Sequence, residues 1–297
     1  MARNLCGHIG DHVIAVQLGL CLLIGPAAAA AVQPIPDLSG VWGRNSVDFE
    51  PPPSGPGPVM NKTRTFYMRI GDDANPILKP DAAAKVRAGA AVSRTGENFP
   101  TPSNGCTPWP PLYGWRALLM QMVQDKNQVV IMTVGDQQIR HVRLNQQHPR
   151  NVAPSYSGDS VGHYEGDTLV IDTIGVKPGP LFMIDNYGTP FSSALHIVER
   201  IRLVDAATAR RDYVKAQRDS GRVTEDMGGA TVDEKYPKGL QISFRVEDPA
   251  TFTMPWSGRV TYMRSAGAWE ERVCADMRHN YLTGKDFDLP HADRPDF

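Results

Sequence analysis

Gly158-Asp159-Ser160-Val161-Gly162-His163-Tyr164-Glu165-Gly166-Asp167-Thr168-Leu169-Val170-Ile171-Asp172-Thr173 is the stretch whose reading decides the fold. Glu165-Gly166-Asp167 carries turn chemistry, and the residues that follow are Thr, Val and Ile, which suit a pleated, half-buried surface. The pattern predicts a hairpin whose second strand is 168–174. Leu195-His196-Ile197-Val198-Glu199-Arg200-Ile201-Arg202-Leu203 adds another strand soon after.

Upstream, 118–123, 128–134 and 139–144 are short β-type runs separated by Asp125-Lys126-Asn127 and Gly135-Asp136. His148-Pro149 ends that meander. Further back, Asp37-Leu38-Ser39-Gly40-Val41-Trp42-Gly43 reads as a first strand. The following Pro51-Pro52-Pro53-Ser54-Gly55-Pro56-Gly57-Pro58 is restricted to loop or polyproline, since each Pro lacks a donor and fixes φ. One helix is expected at 81–92, where Pro80-Asp81 opens an Ala-rich run. Downstream, 242–246 and 258–264 are strands, and 269–274 is expected as the last. Residues 215–240 are polar and read as an excursion or lid.

Many short strands with few helices predict a mainly β fold, an antiparallel lipocalin-like barrel, with a β-sandwich as the alternative. The strand at Ser39-Gly40-Val41-Trp42 and a closing strand near Cys274 are expected to meet and remove the sheet's edges.

Residues 1–31 read as a secretory signal peptide: Arg3, an apolar run at 13–25, then Pro26-Ala27-Ala28-Ala29-Ala30-Ala31. The run is shorter than the roughly 18–20 residues of a bilayer span, so no stable membrane anchor is expected. The expected location is periplasmic or secreted, with 32–297 as one β-rich domain. Cys6 and Cys21 leave with the signal. Cys106 and Cys274 remain and are read as a disulfide, worth about 4–5 kcal/mol in the chain-entropy model. A net charge of −1 gives no electrostatic footprint for nucleic acid.

Alternation along 195–203 puts Leu195, Ile197, Glu199, Ile201 and Leu203 on one face and His196, Val198, Arg200 and Arg202 on the other. Glu199 is the odd member of an apolar face. It is either half of a buried Glu–Arg pair or an acid or base lining a cavity. His163 and Glu165 share a side if extended. A His beside a carboxylate suits acid–base work and could equally ligate a metal, although acidic turns are commonly just solvated.

The candidate catalytic set is Glu199 as base, His163 or His196 as partner acid, Arg200 as anion stabiliser and Asp172 as orienting group. Tyr164, Glu165, Trp256 and His148 are the candidate ligand-binding residues, with Asp248-Pro249 and Met254-Pro255-Trp256 framing a rim. No metal set at ligand spacing, nucleotide loop or nucleophile elbow is present in the sequence, so neither metal nor organic cofactor is expected.

The run Ser160-x-Gly162-x-Tyr164-Glu165-Gly166-Asp167-Thr168-Leu169-Val170-x-Asp172-Thr173-x-Gly175 resembles a large family of exported bacterial proteins. Further matches are His148-Pro149, Leu195-His196-x-x-Glu199-Arg200, Asp248-Pro249, Pro255-Trp256, Glu271-x-x-Cys274 and the terminal Ala292-Asp293-Arg294-Pro295-Asp296-Phe297. Tyr164 stands where that family usually has Trp, and 215–240 is longer than its ordinary hairpin. The resemblance implies an exported β-rich domain and brings no activity with it.

The expected function is action on a small, largely apolar or aromatic molecule in the barrel cavity, by cofactor-free acid–base chemistry of the lyase, hydratase or isomerase kind. The alternative is a non-catalytic small-molecule binding or scavenging protein of the cell envelope. A structural envelope protein, with a filled barrel, is a third.

Overall fold

The predicted hairpin is present: β5 (Asp159–Glu165) pairs with β6 (Thr168–Ile174) from Glu165↔Thr168 to Asp159↔Ile174. Gly166 turns it with φ +62, a left-handed value that glycine adopts without penalty. This computed structural model describes residues 35–63, 65, 68–97, 100–105, 107–135, 138–179, 181–221, 230–269, 279–280 and 285–286. The expected signal peptide, Cys106 and Cys274 lie outside them. Residues Gln33–Phe297 form one compact unit.

The remaining barrel strands are β1 (Gly40–Gly43), β2 (Leu119–Gln124), β3 (Gln128–Thr133), β4 (Gln138–Leu144), β7 (His196–Asp205), β8 (Lys238–Glu247) and β9 (Trp256–Arg264). Paired in sequence order they close a nine-stranded barrel of lipocalin-like type, and the sandwich alternative falls away. A two-stranded ribbon, β10 (His279–Asn280) and β11 (Lys285–Asp286), stands apart from the barrel sheet.

Three points correct the sequence reading. The barrel is mixed, because β4 and β5 run parallel. Residues 145–158 lie between them, about the dozen or more a parallel crossover needs. Closure is made by β9, not by a strand near Cys274: Trp42 pairs with Arg264 and Gly43 with Met263. The Arg264 guanidinium lies over the Trp42 ring and donates to the Ser39 carbonyl at 2.8 Å. Gly40, at φ +135, leaves the space that guanidinium occupies.

The third correction is helical. α1 (Pro80–Arg94) matches the expected helix, with Pro in its first turn. α2 (Pro111–Gly114) is a single turn, and α3 (Ala206–Asp219) was not foreseen. Asp205 caps α3 by accepting from Thr208 N at 2.8 Å. Its buried face, Ala209, Asp212, Tyr213 and Ala216, has helical spacing and packs with Val204 and Met263 on the outside of the barrel. Among the described residues no helix is long and apolar enough to cross a membrane.

Alternation fills the barrel. Met120, Met122, Ile171, Ile197, Ile242, Trp42, Trp256 and Tyr262 are all buried in one apolar cluster. Phe244 meets Phe49 and Trp256 edge to face at centroid distances of 4.9 and 5.9 Å. Each such pair adds about 0.5–1.5 kcal/mol beyond area burial.

Candidate functional site

Glu199 points inward, as the alternation of 195–203 requires, and is fully buried. Its partner is Arg140 of β4, held on the inner face with Val142 and Leu144. Arg140 donates to Glu199 Oε1 at 2.9 Å and to Oε2 at 2.5 Å. Trp115 Nε1 donates to Oε1 at 2.5 Å. The Arg140 Nε donates to Ser160 Oγ at 3.0 Å, and Nη2, which also donates to Glu199 Oε2, donates to Thr173 Oγ1 at 2.6 Å. The node thus ties β4, β5, β6 and β7 together across the interior. Beside it, Trp109, Trp115, Thr133 and Arg140 line a cavity of about 30 Å³, room for a water but not for an organic ligand.

The other expected catalytic groups lie on the opposite side of the barrel wall. Asp172, His196, Arg200 and His163 face outward, because strand neighbours alternate, so the expected pairing of Glu199 with a histidine is not made. They form two outer clusters instead. In the first, His163 Nε2 lies 3.2 Å from Glu165 Oε1, and Arg200 donates to Glu165 Oε2 at 2.6 Å. Arg200 and then His163 hold the Glu165 carboxyl below the usual range.

The second cluster is a chain of alternating charge. Arg143 donates to both oxygens of Asp159, at 2.8 and 3.0 Å. His148 spans the two aspartates, with Nδ1 2.5 Å from Asp159 and Nε2 3.0 Å from Asp172. His196 Nε2 sits 2.9 Å from the other Asp172 oxygen. The His196 bond lowers Asp172, the Arg143 bond lowers Asp159, and the Asp172 bond raises His196. Sequence reading singled out three of these five residues. Among the described residues no group of three or more His, Cys, Asp or Glu is disposed to hold a metal.

Tyr164 packs against the core and donates to Gln124 Oε1 at 3.0 Å; burial pushes its hydroxyl up to about 12. Trp256 is buried against Phe244 and Phe252. Asp248, Pro249, Phe252, Met254 and Pro255 line a surface hollow of about 160 Å³, and Trp256 is not among its lining residues.

The cavity that gathers acidic groups lies elsewhere, between the end of α3 and the segment after β1. It measures about 350 Å³ and is lined by Asp48, Glu50, Phe49, Met60, Lys215 and Asp219, among others. Asp48 accepts from the Tyr187 hydroxyl at 2.5 Å. Burial raises the Asp48 carboxyl, the Tyr187 bond and the nearby Arg44 opposing it. Glu50 Oε2 accepts from Arg259 Nε at 3.0 Å, while Oε1 is buried with no hydrogen-bond partner.

Behind Asp48, Asp185 is buried and accepts from the backbone of Tyr187 at 2.8 Å and Thr189 at 3.2 Å. Burial pushes its carboxyl up to about 6. Asn186 Nδ2 donates to the Val47 carbonyl at 3.1 Å, and Arg44 donates to the Asp48 carbonyl at 2.7 Å. These bonds fix the 44–50 segment, and with it the two carboxylates. Sequence reading passed over Asp48, Glu50 and Asp185, which sit in segments without periodicity. A pair of acids just ahead of the proline run was the only available signal.

No family model, no curated protein and no solved structure matches the chain.

Proposed function

We propose that this protein binds a small amphiphilic molecule in the cavity between α3 and residues 46–51. The observation that carries this reading is the meeting of Asp48 and Glu50 on one cavity. One carboxyl is raised by burial and the other has a buried, unpartnered oxygen. The volume, about 350 Å³, falls within the range of small-molecule sites. A hydroxyl or amine of the ligand would donate to a carboxylate lining the cavity, and its apolar body would lie against Phe49 and Met60.

A second reading is catalytic and rests on Asp48. A carboxyl raised by burial, hydrogen-bonded to a phenol and lining a cavity is suited to carry a proton to and from a substrate. That fits cofactor-free chemistry of the lyase, hydratase or isomerase kind, in a periplasmic or secreted setting if residues 1–31 are a cleaved signal. In this account Glu199 and Arg140 are framework, and the outer histidine–aspartate chain supports the wall.

Wild type and Asp48→Asn would be incubated with a metabolite extract, washed, and compared by mass spectrometry. Binding predicts a compound retained by wild type and held differently by the variant. Catalysis predicts a compound consumed and replaced only by wild type. Neither retention nor conversion by wild type would contradict both readings.

A further inference from the structure

The outer face of β7, β8 and β9 carries a second hollow, of about 530 Å³, which adjoins the site above through the Arg259–Glu50 pair. Four arginines line it, Arg200 and Arg202 from β7, Arg245 from β8 and Arg259 from β9, and no carboxylate does. The register explains the concavity. Ser243 is directly opposite Arg200 on one side and Arg259 on the other, so a small floor residue lies between two guanidiniums. Arg245 pairs with Ser257, again long against short, and Arg202 with Gln241. Pro52 and Pro53 add a stiff wall. In a chain of net charge −1, four cations around one floor are a local concentration.

Carboxylates steady these arginines from outside the hollow. Glu165 accepts from Arg200 at 2.6 Å, Glu247 from Arg245 at 2.9 Å and Glu50 from Arg259 at 3.0 Å, with Asp212 3.6 Å from Arg259. Each contact uses one or two of the five N–H donors of a guanidinium, so donors remain. Arg202 donates to Gln241 Oε1 at 3.1 Å and has no carboxylate partner among the described residues. Guanidiniums held in place by rim carboxylates, with donors left over, suit tetrahedral oxyanions.

We infer that this hollow is an oxyanion site for a ligand bearing at least two phosphate or sulfate ester groups. Arg200 and Arg259 lie two strands apart, about 10 Å between their backbones, so a ligand that meets both carries more than one anionic group. The arginines crowd around a floor of serines, so the ligand lies along the sheet across all three strands.

The test is calorimetric titration of the full chain at about 0.15 M salt with inositol hexakisphosphate and, separately, sucrose octasulfate. Saturable binding of one ester alone names the source; binding of both leaves the shared oxyanion chemistry. Arg202→Ala should weaken binding about tenfold or more, with partial rescue in Arg202→Lys. Ser243→Asp, which sets a carboxylate on the floor, should abolish it. Arg87→Ala, on exposed α1, should leave it unchanged. Circular dichroism checks that each variant keeps the barrel. No saturable binding of either probe overturns the inference. So does equal weakening by Arg202→Ala and Arg87→Ala, or full binding by Ser243→Asp.

Discussion

At Asp185 burial and hydrogen bonding oppose each other, and burial wins: two backbone N–H groups favour the charged form, yet the carboxyl is raised from 3.8 to about 6. The folded state therefore holds this proton more tightly than the unfolded chain. Its contribution to stability is fully present below pH 3.8 and lost as pH rises through about 6, on the order of 2–3 kcal/mol. Asp185→Asn keeps an acceptor for Tyr187 and Thr189 but has nothing to ionise. Urea midpoints should fall less between pH 4 and 7, in round terms, than in wild type; equal slopes would remove Asp185 from that role. Glu199 follows a different rule. Glu199→Gln leaves the Arg140 guanidinium buried without its counter-charge and should cost about 3–5 kcal/mol. The joint replacement Glu199→Leu with Arg140→Met should recover most of that loss, and a loss as large as the single variant's would show that the pair is stabilising in itself.

Among the elements, α3 links packing to the proposed site. Tyr213 anchors it to Val204 and Met263, while Lys215, Ala216 and Asp219 on its last turns line the cavity. Tyr213→Ala should cost about 3 kcal/mol in urea unfolding and also weaken ligand retention. Weakened stability with undiminished retention would detach the helix from the site. α3 was legible in principle: Asp205 is a standard cap, and Gly221, at φ +69, follows its end. It was passed over because the polar residues from 215 onward dominate the impression of that region. The strands were easier. Alternation in 195–203 put Glu199 inside correctly, and the same rule applied to 138–144 sets Arg140 with Val142 and Leu144. What alternation cannot supply is the partner. Arg140 reaches Glu199 past β5 and β6, a distance set by barrel closure rather than by local pattern.

On the scale of the whole molecule, closure decides what is inside and what is left for function. Large side chains such as Trp42, Trp256 and Tyr262 fill the interior, so the sizeable hollows lie outside the wall. A barrel was legible from many short strands and their turns; its closing partner was not, because β9 pairs along β8 and meets β1 at only two residue pairs. The cavity was not legible at all. It is assembled from residues 46–51, 60–61 and 215–219, far apart in the chain and without shared periodicity. The central claim is that this outer cavity, not the barrel interior, holds the ligand. Met60→Trp grows an indole into it from a partly exposed position. Retention of extract compounds by Met60→Trp, measured by mass spectrometry against wild type with the barrel's circular dichroism unchanged, is the most direct test. The account predicts that retention is lost; retention equal to wild type would contradict it.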